Sequence, residues 1–110
     1  MSSETQTLAP PLAERERVMR TIREHEAELR ALGVSQLWLF GSLARAEAEA
    51  ARDVDVMIGI PRARKFSLFD LGEVRVELCA LLGREVDVVI EEDLLPEFRS
   101  DIAPDLVRVY

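Results

Sequence analysis

The stretch FGSLARAEAEAARDVDVMIGI, Phe40 to Ile60, decides the reading of this chain. Gly41 and Ser42 stand near its start and Asp53 and Asp55 near its end, in the pattern G-S-x(10)-D-x-D. The run Gln36 to Phe40 (QLWLF) stops at a glycine, as a buried strand does when it enters a turn. Beyond the aspartates, Val54, Val56 and Ile58 alternate with Asp55, Met57 and Gly59 until Pro61, which predicts a second strand. A glycine at the turn lets the backbone approach a phosphate closely, and Ser42 with the amides of a short helix can donate to phosphate oxygens. Two aspartates two residues apart leave the same face of a strand with roots about 7 Å apart. Charges brought to about 6 Å at an effective dielectric of about 20 repel by roughly 3 kcal/mol. A divalent cation offsets that repulsion. Magnesium suits the place, because it prefers hard oxygen ligands and binds through one or two carboxylates plus substrate phosphates.

Working outward, Arg62 to Phe66 reads as a solvated basic loop. Ser67 with Asp70 reads as a capping box that opens a helix with Leu71, Val74, Leu78 and Leu81 on one face, closed by Gly83. Glu85 to Ile90 then alternates as a third strand, with Asp87 the charged residue inside it. On a neighbouring strand Asp87 reaches the same site, where it can take a proton from an acceptor or help hold a second metal. Upstream, Val18, Met19, Ile22, Leu29 and Leu32 recur at helical spacing between Leu12 and Leu32, and Gly33 supplies the stop. Residues 1–11 read as a flexible N-terminal arm and 12–110 as one domain. Residues 92–100 are expected to be helical, and Asp105 to Tyr110 (DLVRVY) to form a closing strand or a docking segment. The alternation of strand and helix argues for an α/β fold of one sheet and packed helices.

Composition limits the chemistry. A chain of 110 residues has room for one core. Its 48% hydrophobic and 32% charged residues are those of an ordinary folded domain, with no apolar run long enough for a membrane span. The first residues lack the features of a secretion signal, so a cytoplasmic setting is expected. One cysteine, Cys79, and one histidine, His25, make no zinc cluster, so any metal sits on oxygen. Cys79 reads as a packing residue, His25 as a solvated one, and Trp38 and Phe40 as core. A net charge of -7 disfavours nucleic acid as a direct partner.

Taken together, FGSLARAEAEAARDVDVMIGI and the downstream REVDVVI resemble the minimal nucleotidyltransferase family of the DNA polymerase beta superfamily. The resemblance covers nearly the whole chain. It implies a polymerase-beta-type nucleotidyltransferase fold, a small mixed sheet of three or four strands flanked by helices. It implies that Asp53, Asp55 and Asp87 are the metal-binding and catalytic acids, with Gly41 and Ser42 in the nucleotide loop and Arg45 on the triphosphate. Two positions depart from the family pattern: Ala46 stands where glycine is usual in G-S-x-A-R-G, and Arg52 where a serine commonly precedes the first aspartate. Arg52 either pairs with Asp53 and weakens metal binding or holds a phosphate oxygen.

The resemblance further implies Mg2+ as cofactor and ATP as substrate. Short proteins of this family are typically antitoxins that neutralise a HEPN-domain ribonuclease toxin by transferring AMP to a toxin tyrosine, within a hetero-oligomer. The small surface outside the catalytic core fits an acceptor delivered by another protein. Two other readings stand beside this one: a dimeric transferase for small molecules of the antibiotic type, and a non-catalytic antitoxin that only binds its toxin.

Overall fold

The computed structural model describes residues 10–47 and 53–110. Four strands, β1 (Gln36–Phe40), β2 (Asp53–Gly59), β3 (Glu85–Ile90) and β4 (Val107–Arg108), form one sheet in the order β3-β2-β1-β4. β1 is antiparallel to both β2 and β4, and β2 runs parallel to β3. A parallel pair needs a crossover long enough to return the chain to the starting edge. Here α4 (Leu68–Leu82) supplies it. Its start is the predicted capping box: the Asp70 amide donates to Ser67 Oγ at 3.3 Å and the Ser67 amide to Asp70 Oδ2 at 2.7 Å. The mixed sheet flanked by helices is the architecture expected from the sequence.

The N-terminal helix differs from its expected form. It begins at Pro10 and divides into α1 (Pro10–Glu24) and α2 (Glu26–Ala31). His25 marks the break, because its amide bonds to the Ile22 carbonyl while its ring Nδ1 lies 2.9 Å from the Thr21 oxygen, the acceptor an unbroken helix would offer that amide. Ile22 and Leu29 nevertheless stay in phase, both fully buried. Residues 1–9 of the expected arm lie outside the described residues.

At the other end, a short 3-10 turn at Glu91–Asp93 precedes α5 (Pro96–Ile102), whose start is set by a proline in the first turn. Of the two readings of DLVRVY, the closing strand is the one observed. Its pairing is Trp38 with Arg108 and Leu39 with Val107, and the Val109 amide donates to the Leu37 carbonyl at 2.8 Å.

One face of the sheet carries the main core. Leu37, Leu39, Val54, Val56 and Ile58 meet Val18, Ile22 and Leu29 from α1 and α2, with Val74 and Leu78 from α4. Cys79 packs against this core, as expected of a lone cysteine. The other face holds a smaller cluster of Phe40, Met57 and Ile102, with Trp38 and Val89 at its margin. No helix among the described residues is long and apolar enough to cross a membrane.

Candidate active site

Register brings the carboxylates together. Phe40 pairs with Asp55 across the antiparallel ladder and Asp55 with Asp87 across the parallel one, so three strands contribute one row. Since side chains alternate along β2, Asp53 and Asp55 leave the sheet opposite Val54 and Val56, on the face of the smaller cluster. Asp55 is half-buried, whereas Asp53 and Asp87 are exposed. Burial pushes the Asp55 carboxyl above the usual carboxylate range, and the charges of Asp87 and Asp53 and a hydrogen bond shared with Asp87 push it the same way. The charge of Arg45 opposes them.

Gly41 stands directly against this group. Its φ is +77°, in the left-handed region, and a Cβ built there would collide with the Asp55 carboxylate, whose Cγ would lie 3.2 Å away. Glycine is required on both counts. The chain then turns at once into the one-turn helix α3 (Gly41–Ala44), of which Ser42 is the second residue. Leu43 and Ala44 are buried and anchor this turn in the core, and Arg15 of α1 donates to the Ala44 carbonyl at 2.8 Å. The first amides of the turn have no acceptor within the helix, the condition under which a helix start takes an anion.

Arg45, predicted on a triphosphate, is held by two carboxylates. Nε and Nη2 donate to Glu47 at 2.7 and 3.1 Å, and Nη1 donates to Asp105 at 2.8 Å. The hydrogen bonds it donates to Glu47, then to Asp105, raise the guanidinium pKa further above its ordinary value. Ala46 follows with φ 56°, a left-handed position. Arg52 lies outside the described residues.

The profile of a family described as the nucleotidyltransferase domain matches residues 22–109. This chain belongs to the nucleotidyltransferase domain family. It is 35% identical over 97 residues to the protein adenylyltransferase MntA of Thermococcus cleftensis, covering 84% of this chain and 89% of that one. A solved structure described as a candidate minimal nucleotidyltransferase aligns with a TM-score of 0.59 at 30% identity, over 97% of this chain and 95% of that chain. The same fold, at 14% identity and a TM-score of 0.57, occurs in a complex of a tri-AMPylated Shewanella oneidensis HEPN toxin with an MNT antitoxin. That alignment covers 91% of this chain and 71% of the other. A nucleotide substrate follows from membership of the nucleotidyltransferase family.

Among the described residues no three His, Cys, Asp or Glu side chains converge closely enough to hold a metal ion by themselves. Magnesium does not require them to, because substrate phosphates and water complete its shell once one or two carboxylates are in place. The donor set fits: hard oxygens only, crowded enough to raise Asp55, beside a turn on which no Cβ fits. Of the residues the sequence singled out, Gly41, Asp55 and Asp87 lie together, Asp53 adds its charge to them, and Ser42 is the second residue of the turn. Arg45 acts on Asp55 only through its charge and turns its nitrogens to Glu47 and Asp105. Sequence reasoning missed Asp105 and Arg15, which hold this loop from positions far along the chain. No local motif signals either residue.

Proposed function

We propose that this chain is a magnesium-dependent protein adenylyltransferase that moves AMP from ATP onto a tyrosine of a HEPN-domain ribonuclease toxin, as the antitoxin of the pair. The observation that carries the reading is the row in which Asp55 and Asp87 stand side by side against the Gly41 turn. Asp53, Asp55 and Asp87 would hold magnesium, which neutralises charge on the triphosphate and on the departing pyrophosphate. The α3 amides and Ser42 orient the phosphates, and Arg45 exchanges a carboxylate for a phosphate oxygen, since its planar fork fits both. Asp87 is exposed and accepts the proton of the tyrosine hydroxyl. The tyrosine oxygen bonds to the α-phosphorus as the bond from that phosphorus to the pyrophosphate oxygen breaks. The reaction belongs in the cytoplasm, where ATP and magnesium are supplied. The relatives that share the fold support a protein acceptor: one is named a protein adenylyltransferase, and another is bound to an AMPylated toxin.

The test is to incubate the purified protein with a HEPN-domain protein encoded beside it, where one is found, with ATP and Mg2+, and to weigh both proteins by mass spectrometry. An AMP adduct on a toxin tyrosine, absent with Asp53→Asn and absent with chelator, is the expected result. Protection of cells by the Asp53 variant with no adduct would show a non-catalytic antitoxin instead.

A further inference from the structure

The outer side of α4 carries apolar groups that nothing in the fold covers. Val74 and Leu78 face the core and are fully buried, whereas Phe69 is 87% and Val76 67% exposed. These two lie seven residues apart with Gly72 between them, a spacing that puts all three on one face. With Leu32 beyond the end of α2 they line a groove of about 460 Å³, rimmed by Glu73 and Glu77. Open space lies where a Gly72 side chain would stand, so another backbone can approach the helix closely there. Exposed apolar surface rimmed by polar residues marks an interaction site. α4 packs on the Val54, Val56 and Ile58 face of the sheet, and the aspartates leave the opposite face. The groove and the carboxylate row are thus on opposite sides of the sheet.

We propose that this groove docks a basic, amphipathic helix of the acceptor protein, with apolar side chains seated between Phe69 and Val76 and Lys or Arg side chains paired with Glu73 and Glu77. The assignment of the partner rests on the protein-acceptor reading above. Charge selects this occupant over a second copy of the chain. The protein carries a net charge of -7, and a symmetric pairing of α4 helices would bring acidic rims together. Arg75, the basic residue between the two glutamates, is held by Glu85 and the Val86 carbonyl. Because the groove is remote from the carboxylates, it sets affinity for the acceptor and leaves the chemical step alone.

The test uses the full chain and the same acceptor protein, with binding by calorimetry and adduct formation by mass spectrometry as separate readouts. Phe69→Ser with Val76→Ser should weaken binding by about tenfold or more and raise KM for the acceptor, with kcat within about twofold of wild type. Glu73→Lys with Glu77→Lys should weaken it similarly and flatten its dependence on salt. All four side chains lie on the outer face of α4, so circular dichroism and ATP binding should match wild type in both variants. Wild-type affinity in both overturns the docking site, even where the adduct forms. So does a wild-type dimer, seen by light scattering, that the apolar double variant splits. Groove-dependent binding with no adduct on the wild-type complex keeps the docking site and removes the transferase reading. A wild-type protein that neither binds nor labels the acceptor removes both.

Discussion

Val54, Val56 and Ile58 leave β2 toward α1 and α4 and are fully buried, while Asp53 and Asp55, interleaved with them, leave it toward Asp87 and the Gly41 turn. Seven consecutive residues therefore serve two opposite demands. The apolar side lowers the free energy of the fold by removing surface from water, and the acidic side raises it by setting like charges next to each other. The two cannot be interchanged, because a slip of one residue would bury the aspartates and expose the valines. One face fixes the register, and the register places the carboxylates.

Removing charge from the acidic side should have the largest effect. Asp55→Asn is expected to lower the transfer rate by about 10³-fold or more, roughly 4 kcal/mol in the barrier, measured as adduct formed per unit time. The same variant should melt at or above the wild-type temperature when metal is absent at pH 7. The sign follows from the raised pKa of Asp55: between its ordinary value and its folded value the native state binds more protons than the unfolded one, so stability falls as pH rises through that window. The variant has no such carboxyl, so its advantage in melting temperature should shrink as the pH falls through the window. Magnesium affinity of the wild type should rise with pH over the same range, read by titration at several pH values.

Cutting into the apolar side tests the converse. Ile58→Ala should cost about 3 kcal/mol in urea unfolding, because Ile58 is fully buried, yet leave the rate per folded molecule near wild type. Gly41→Ala touches both sides of the comparison. Its left-handed φ and the collision with Asp55 predict about 1 to 3 kcal/mol of lost stability, together with weaker ATP binding by calorimetry. The smallest effect is a gain. Ala46→Gly relieves a left-handed alanine and should stabilise the fold by about 0.5 to 1 kcal/mol in the same unfolding assay, with transfer retained.

The strands were legible because their period is short and local: the valines of β2 and β3 announce a buried face, and the aspartates interrupt it. Gly41 was legible as a turn, although its contact with Asp55 depends on pairing that no local pattern encodes. The break at His25 was hidden because Ile22 and Leu29 keep helical spacing across it, and a ring competing for one carbonyl leaves no trace in periodicity. Arg45 lies near enough to Asp55 for its charge to act there, and Asp105 is brought to it only by the return of the chain through α5 and β4. Ala46, which stands where the resemblance implies glycine, has a left-handed backbone.

The parallel register of Asp55 with Asp87 also bears on when the acidic row is completed as the chain folds. A nascent chain that has emerged as far as Gly83 already carries Gly41, Ser42, Asp53 and Asp55, and can pair β1 with β2. It lacks the neighbour of Asp55, which arrives only after α4 has crossed the sheet and laid β3 alongside. Pairings that distant in sequence form late, because chain entropy is spent before the contact rewards it. Here the last approach also works against like charge, so closure of that edge waits for the apolar side to gather it in. By the same rule the Asp55–Asp87 pair forms after β1 has met β2, whose partners are nearer in sequence, and before β4 returns to β1.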